Sequence, residues 1–274
     1  MLHKVVFFLV ILTLMVGISD ANMSPSAAQD FITLVDANQP QQDPDRNWYM
    51  PPSHPESDTI SITSPQTTGG PDEFGYIWDN TIPFSWIDAT TGTDTGLGGY
   101  SCGEAVGPIQ LPFSFSHYEN TFTELWINAG GYLTFTNSSA YACAPNGMHF
   151  PEPGFPVNLI VPLWSRYALA EDGSTNRVYY KSGGTAPNRY FVVEWYQVVY
   201  AYLTHPIFTY EVILYENGTI EFQYHTIGGG SYYCNDIAMG IENANGYDGL
   251  TYLDWCRVPA SGTAVRFTRP ADSA

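Results

Sequence analysis

Basic residues are scarce in this sequence, and their scarcity argues against one large class of partners. The 274 residues include 9 Lys and Arg against 27 Asp and Glu, which gives a formal net charge of -18. A surface with this balance repels a phosphate backbone instead of releasing its counterions. We therefore expect no nucleic-acid partner. An acidic surface favours solubility, and its oxygen atoms are the ligands that divalent cations prefer.

Long apolar runs are also missing, apart from one near the N-terminus. The run Val5–Ile18 follows a positively charged start, and Ser19-Asp20-Ala21 places small residues where a signal peptidase requires them. The run is several residues shorter than the about 20 that cross a bilayer. We predict that residues 1–21 are a signal peptide. The mature protein is then expected to be secreted, with no stable membrane insertion after cleavage.

Cysteine is limited to four residues, and none of them forms a C-x-x-C pair, so a zinc knuckle is disfavoured. An even number of cysteines in an exported chain predicts two disulfides. Three pairings are possible. We favour Cys102–Cys143 with Cys234–Cys256, because each of these pairs closes the shorter local loop.

No segment shows a convincing helical stripe, whereas short segments with strand periodicity and turn signals run from Pro71 to Arg269. They include "IPFSWID" and "YFVVEWYQVVY"; the second is apolar on both faces, as in a central strand. Asn217-Gly218 is the best hairpin signal. We predict an all-β fold, a single-domain antiparallel β-sandwich over residues 71–270. Residues 22–70, rich in Pro, Ser and Gln, are predicted to be a low-complexity, disordered lead that includes a weakly helical segment.

The stretch "ELWINAGGYLTFTN" contains a bend between two flanks of alternating pattern. Gly130 and Gly131 accept a positive φ without a Cβ clash, and Asn128 tolerates a left-handed backbone. The bend has no charged or aromatic group of the kind that a ligand loop ordinarily supplies. We therefore predict a hairpin bend whose glycines serve geometry. Replacing either glycine by Val is expected to destabilise the fold by about 1 to 3 kcal/mol.

Four groups of residues occur in an order more specific than any one of them: "IQLPFSFSHYENTFTELWINAGGYLTF", "NLIVPLWSRYA", "RVYYKSGGTAPNRYFVVEW", and "FTYEVILYENGTIEFQYH" followed by "GIENANG". This order resembles the nidogen-like extracellular domain and related bacterial secreted or surface modules, over roughly Gly70 to Arg269. The resemblance implies a non-catalytic β-sandwich, often attached to adhesion proteins or exported hydrolases. Two departures occur, since Gly130-Gly131 replaces a common "NG" and Ser165-Arg166 follows "PLW" where family members commonly carry an acidic residue. An ion or partner contact at that acidic position is not carried over.

From these observations we expect a secreted, non-catalytic binding or adhesion module whose partner is an extracellular glycan or protein. The alternative is a carbohydrate-active hydrolase that uses Glu194 with Glu211 or Glu221, because paired carboxylates about 5 to 10 Å apart hydrolyse glycosides. Alternation alone predicts instead that Glu211 and Glu221 face outward and that Glu194 is a buried, hydrogen-bonded acid. The chain has no "G-x-S-x-G" frame for a nucleophile and no H-x-x-x-H spacing for a metal.

Exposed aromatic residues are the candidates for a sugar platform, since their rings stack on the apolar faces of pyranoses. The candidates are Trp126, Tyr132, Tyr232, Tyr233, Tyr247 and Tyr252. Trp126 opposes the core parity of Leu125 and Ile127, which points it outward, although packing under a loop is the commoner outcome for such a residue.

No cofactor is expected, and calcium is the open alternative for a metal. Two groups of residues supply hard oxygen atoms: Asp72, Glu73, Asp79 and Asn80 in one, and Asn235, Asp236, Glu242, Asn243 and Asp248 in the other. Neither group matches a "D-x-D-x-D-G" loop. Because the same residue types make turns, the turn interpretation stands beside the ion site.

Overall fold

The structure is a computed structural model that describes residues 61–62, 67–98, 104–136, 149–154, 156–169, 176–200, 207–228, 237–254 and 257–269. The regular structure of these residues is all strand. The strands are β1 (Ser61–Ile62), β2 (Thr68–Gly69), β3 (Ile77–Asp79), β4 (Thr93–Asp94), β5 (Ala105–His117), β6 (Asn120–Asn128), β7 (Tyr132–Thr134), β8 (Leu159–Trp164), β9 (Tyr167–Ala168), β10 (Arg177–Gly183), β11 (Tyr190–Tyr200), β12 (Ile207–Tyr215), β13 (Ile220–Ile227), β14 (Ala238–Glu242), β15 (Gly249–Asp254), β16 (Arg257–Val258) and β17 (Thr263–Thr268). The all-β prediction is confirmed.

Two antiparallel sheets form the fold. The large sheet has the order β2-β3-β17-β13-β12-β11-β10-β4, with β9 paired to β11, and the small sheet has the order β15-β14-β8-β7-β6-β5. The strands β1 and β16 form a separate parallel pair. Within the described residues, no helix is long and apolar enough to cross a membrane.

The main hydrophobic core lies between the two sheets, as the period-two patterns predict. Every second side chain of β12 belongs to it: Phe208, Tyr210, Val212 and Leu214. Leu125 and Ile127 of the small sheet join the same cluster. The predicted antiparallel sandwich is therefore confirmed.

The strand β11 lies inside the large sheet, between β10 and β12, and most of its residues are buried on both faces. Val193 and Trp195 face the main core, whereas Val192 packs with Ala89 and Ile213 on the opposite face. The prediction of a central strand covered on each side is confirmed. The cover on the outer face comes from the segment that contains Ala89.

Tyrosine hydroxyls join the two sheets at β8. Pro162 lies inside this strand, has no N–H to donate to a ladder, and sits where the register between β8 and β14 shifts. The carbonyl of Pro162 accepts from the hydroxyl of Tyr224 at 2.9 Å, and the carbonyl of Leu163 accepts from Tyr210 at 3.0 Å and Tyr167 at 3.2 Å. The irregular strand therefore pairs its backbone carbonyls with the facing sheet.

The bend between β6 and β7 is a three-residue hairpin connection, because Asn128 pairs with Tyr132. Gly131 has a φ of 98°, and its N–H donates to the carbonyl of Asn128 at 3.2 Å. The predicted hairpin bend is confirmed, with one correction: of the two glycines only Gly131 takes a positive φ. A three-residue connection places its left-handed residue last, so Gly130 has no such requirement.

The folded region extends further toward the N-terminus than the predicted boundary at Pro71, since β2 pairs with β3. The predicted signal peptide, residues 1–21, and most of the predicted lead, residues 22–70, lie outside the described residues. The segment "IPFSWID" is extended but is not a strand, which corrects that prediction. Its N–H groups donate to side chains on the outer face of the large sheet instead of to a neighbouring strand.

A candidate binding groove beside Tyr247

An open groove of about 340 Å³ lies where three loops meet. We call it the Tyr247 groove. Its lining consists of Pro71, Asp72, Glu73, Pro151, Tyr247, Asp248 and Gly249. Three of these side chains are carboxylic acids, and none is basic.

The hairpin loop between β14 and β15 presents Tyr247 to solvent. The side-chain oxygen of Asn243 accepts from the N–H groups of Tyr247 at 3.2 Å and Asp248 at 3.3 Å, and the N–H of Asn243 donates to the carbonyl of Asp248 at 2.9 Å. An Asn that accepts from its own loop in this way stabilises a tight turn. Tyr247 is 70% exposed, whereas Asp248 is 9% exposed. A fixed loop thus holds an exposed ring above a nearly buried carboxylate.

Asp72 fixes the opposite wall of the Tyr247 groove. Its Oδ1 accepts from the N–H groups of Gly75 at 2.8 Å and Tyr76 at 2.7 Å, and its Oδ2 accepts from the hydroxyl of Tyr118 at 2.9 Å. Burial is the main reason why the pKa of Asp72 is raised. The two walls are joined directly, because the N–H of Glu73 donates to Oδ1 of Asp248 at 3.0 Å.

The chemistry of the groove follows from this arrangement. The ring of Tyr247 offers an apolar face with a polar tip, which suits a sugar ring or an apolar side chain. The carboxyl group of Glu73 is exposed, and the other acids lie beside it, so the groove accepts hydrogen bonds from hydroxyl or amino groups. The same charges repel an anionic ligand.

Of the six predicted aromatic candidates, the four that the structure describes do not form one platform. Tyr247 lies in the groove. Trp126 is half-buried, and its ring lies so close to Gly107 that a Cβ on Gly107 would overlap the ring. Tyr132 is fully buried against Trp164, with ring centroids 4.7 Å apart. The structure corrects the expectation that Tyr132 and Tyr252 are exposed, because neither offers a ring face to solvent.

The rings of these two residues are used inside the fold. Tyr252 is 8% exposed and meets the edge of Trp78 at a centroid distance of 5.1 Å. The remaining candidates Tyr232 and Tyr233 lie outside the described residues, as do all four cysteines of the predicted pairs Cys102–Cys143 and Cys234–Cys256. Period-two alternation did not reveal the second hydrophobic cluster, in which Tyr132 packs with Trp164 and with Phe150 from a connecting segment.

The carboxylates weighed for hydrolysis lie elsewhere, on the outer face of the large sheet. Glu194 and Glu211 are directly opposed on β11 and β12, and with Glu221 they are 0 to 5% exposed. As expected, Glu211 and Glu221 lie on the face of the large sheet that points away from the main core. Both are nevertheless buried. Glu221 pairs with Arg266 at 2.6 Å, and the other two accept from backbone N–H groups of a covering segment.

The oxygen atoms considered for calcium are largely engaged by the chain itself. Oδ1 of Asp79 accepts from the N–H and hydroxyl of Thr81, both at 2.7 Å, and Oε2 of Glu242 accepts from the N–H of Glu152 at 3.1 Å. In the part of the chain that the structure describes, no three His, Cys, Asp or Glu side chains converge on a possible metal position. Asn235 and Asp236 fall outside that part.

Sequence reasoning did not place the walls of the groove together. Glu73 and Asp248 are 175 positions apart in the chain yet share a hydrogen bond. The sequence pattern also did not single out His117, which is fully buried and has its Nε2 3.0 Å from the carbonyl oxygen of Glu242. Burial lowers the pKa of His117 to about 4.

Comparison with known proteins gives one match. No curated protein and no solved structure matches the chain. The family model described as NIDO related matches residues 77–270, which is most of the chain and includes the loop that carries Tyr247. Domains of this kind are generally extracellular, which agrees with an extracellular module. The chain belongs to the NIDO-related family.

Proposed function

We propose that this chain is a secreted, non-catalytic binding or adhesion module, and that its glycan or protein partner contacts the Tyr247 groove. The observation that carries the proposal is the 70% exposure of Tyr247 at a groove lined by three carboxylic acids. A large aromatic ring held in solvent by a hydrogen-bonded loop has no packing role to explain it. Such rings are enriched where proteins bind partners.

The position of the buried acids favours this proposal over the hydrolase. Glu194 and Glu211 lie beneath a segment of the chain that donates hydrogen bonds to both of them. A glycosidic bond must reach two carboxyl groups and a water molecule at the same time. Beneath the covering segment these residues are 1% and 0% exposed, which supports a binding module over an enzyme that uses them.

The proposal is tested by screening the purified mature chain against glycan and extracellular-protein arrays, with and without calcium. Each ligand found is then titrated against Tyr247→Ala and Tyr247→Phe. Loss of an aromatic contact at the centre of a site costs about 2 kcal/mol or more, which is about thirtyfold in affinity. Tyr247→Phe keeps the ring and should retain most of the binding if stacking dominates.

Two controls distinguish this groove from other surfaces. Ile77→Ala removes a second exposed apolar side chain, which is 45% exposed and is not part of the groove lining. Trp126→Ala tests the other predicted aromatic candidate. Binding that survives Tyr247→Ala but is lost in Trp126→Ala would place the site on the small sheet. Turnover of a polysaccharide that Glu194→Gln abolishes would favour the hydrolase.

A substitution that changes the charge of the groove distinguishes a cationic ligand from a neutral one. Glu73 is exposed, so Glu73→Gln removes one charge from the groove without burying a polar group. A cationic ligand should lose affinity in this variant and should bind more weakly as salt rises. A neutral glycan should be nearly indifferent to both changes.

A further inference from the structure

A short segment lies across the outer face of the large sheet, and we call residues Ser85–Ala89 the strap. The N–H of every second strap residue donates to a side chain on a different strand: Ser85 to Gln223 at 2.9 Å, Ile87 to Glu211 at 3.1 Å and Ala89 to Glu194 at 2.9 Å. The three acceptors occupy neighbouring positions on β13, β12 and β11. The strap is therefore held by one row of side chains that crosses the sheet.

Two members of this row are acids that face each other. Glu194 and Glu211 are directly opposed in the antiparallel register, where Cβ atoms are about 4.5 to 5.5 Å apart. They are 1% and 0% exposed. Oε2 of Glu211 is buried and accepts no hydrogen bond from the described residues. Two carboxylates this close in a buried site do not both carry a full charge at neutral pH.

The groups around the pair do not supply the missing positive charge. Glu221 on β13 takes the charge of Arg266, at 2.6 Å, and Asp88 of the strap adds another acid. Tyr179 on β10 is opposite Glu194. Lys181 donates to the carbonyl of Asp88 in the strap at 3.4 Å and to the hydroxyl of Thr91 at 2.9 Å, and it makes no ion pair with either acid. Among the described residues no cation pairs with Glu194 or Glu211.

We propose that Glu194 and Glu211 together retain a proton at neutral pH, and that retention of this proton stabilises the closed position of the strap on the large sheet. Burial raises the pKa of Glu211 to about 9 and that of Glu194 to about 7, in agreement with the geometry. When the pH rises, the proton passes to solvent and leaves two adjacent buried charges. Opening the strap admits water to them, so opening is favoured.

The size of the effect follows from proton linkage. If opening lets Glu211 ionise, the equilibrium constant for opening rises about tenfold per pH unit, from the pH at which the open state ionises up to about 9. Opening also frees Trp86, whose ring centroid lies 5.2 Å from that of His225 and 6.0 Å from that of Phe84. Tryptophan emission therefore gives a second signal of the same event.

The test is amide hydrogen exchange of the mature chain over a series from about pH 6 to about pH 9, corrected for the intrinsic acceleration by base. We expect the protection of the Ile87 and Ala89 amides to fall about tenfold per pH unit, while the β12–β13 ladder keeps its protection. Glu211→Gln retains the carbonyl acceptor but cannot ionise. Glu194 keeps its pKa of about 7 in this variant, so strap protection should fall with pH only up to about 7 and be flat above it. Glu194→Gln removes the opposing charge but leaves Glu211 buried, so the slope should persist and end at a lower pH than in the wild type.

Two controls decide between this pair and its neighbours. Asp88→Asn neutralises the strap's own acid, and Glu73→Gln neutralises an acid at the Tyr247 groove; both should retain the wild-type slope. Strap protection in the wild type that does not depend on pH would overturn the proposal, whether or not the Gln variants fold. A slope that persists above about pH 8 in folded Glu211→Gln, or a slope that Asp88→Asn abolishes, would overturn it too.

Discussion

Replacing Gly131 by Ala should destabilise the fold for two separate reasons. The first is conformational, because Gly131 has a φ of 98° and an L-residue there is strained by about 1 to 2 kcal/mol. The second is steric. A Cβ at this position would overlap the backbone carbonyl of Leu163 and lie 2.5 Å from the hydroxyl of Tyr210.

The residues around Gly131 set the size of the steric cost of the substitution. The hydroxyl of Tyr210 donates to the carbonyl of Leu163 at 3.0 Å, so the new methyl group would intrude on a hydrogen bond that joins the two sheets. Overpacking costs about 1 to 3 kcal/mol and a disturbed buried hydrogen bond about 1 kcal/mol. With the φ strain, the total is about 3 to 6 kcal/mol. In a domain of this size each 1 kcal/mol lowers Tm by about 2 to 4 °C.

Gly262 provides the matched control, since it has a φ of 74° and nothing lies within 4 Å of its added Cβ. Chemical denaturation of Gly262→Ala should therefore report the φ strain alone, about 1 to 2 kcal/mol. The difference between the two variants isolates the contact with Leu163 and Tyr210. If both variants lose the same free energy of unfolding, the steric reasoning is wrong and the bend is less tightly packed than the geometry requires.

Three further predictions concern pH and the cysteines. Tm should fall as pH rises from about 6 to about 9. The pKa of Glu242 is about 8 in the folded state against 4.5 in the unfolded state, so its contribution to stability is fully present below pH 4.5 and is lost as the pH passes 8. Glu242→Gln should reduce this fall in Tm. On the acid side, His117 contributes stability that is present above 6.5 and lost as pH falls through about 4, so the thermal melt should show an added loss there. Non-reducing peptide mapping should link Cys102 to Cys143 and Cys234 to Cys256; a Cys102–Cys256 peptide would show that the pairing is wrong.

The strands that were predicted from sequence are those whose pattern has a local cause. Asn217-Gly218 predicted a hairpin, and Gly218 has a φ of 85° in the connection between β12 and β13. The continuous apolar run of β11 predicted a central strand. In both cases the signal is carried by adjacent residues, either the freedom of glycine to take positive φ or the need to cover both faces of a sheet.

The strap and the acids beneath it could not be predicted in this way. "IPFSWID" has the alternation of a strand, yet two of its N–H groups donate to Gln223 and Glu211, and that of the next residue, Ala89, donates to Glu194. Alternation reports which side chains share a face, but it does not say which distant segment covers that face. For the same reason, alternation correctly predicts that Glu211 lies on the outward face but does not reveal that it is buried there.

The sequence singled out several residues of the Tyr247 groove but did not predict the groove itself. The aromatic and acidic residues that line it include Tyr247, Asp72 and Asp248, all of which the composition of their loops had singled out. Their meeting in one groove depends on a hydrogen bond between the N–H of Glu73 and Asp248, far apart in the chain. Tyr132 and Tyr252 have the same residue type as Tyr247 but pack inside: Tyr252 belongs to the main core, and Tyr132 belongs to a second cluster with Trp164 and Phe150.

Hydroxyl-radical footprinting with mass spectrometry tests most directly whether the Tyr247 groove is the binding surface. Tyr247 is 70% exposed in the free protein, so its oxidation gives a strong signal. When a ligand found on the array is added at saturating concentration, we predict that Tyr247 is protected from oxidation, whereas the oxidation of Ile77 and Trp126 is unchanged. Protection of Trp126 with Tyr247 unchanged would contradict this prediction.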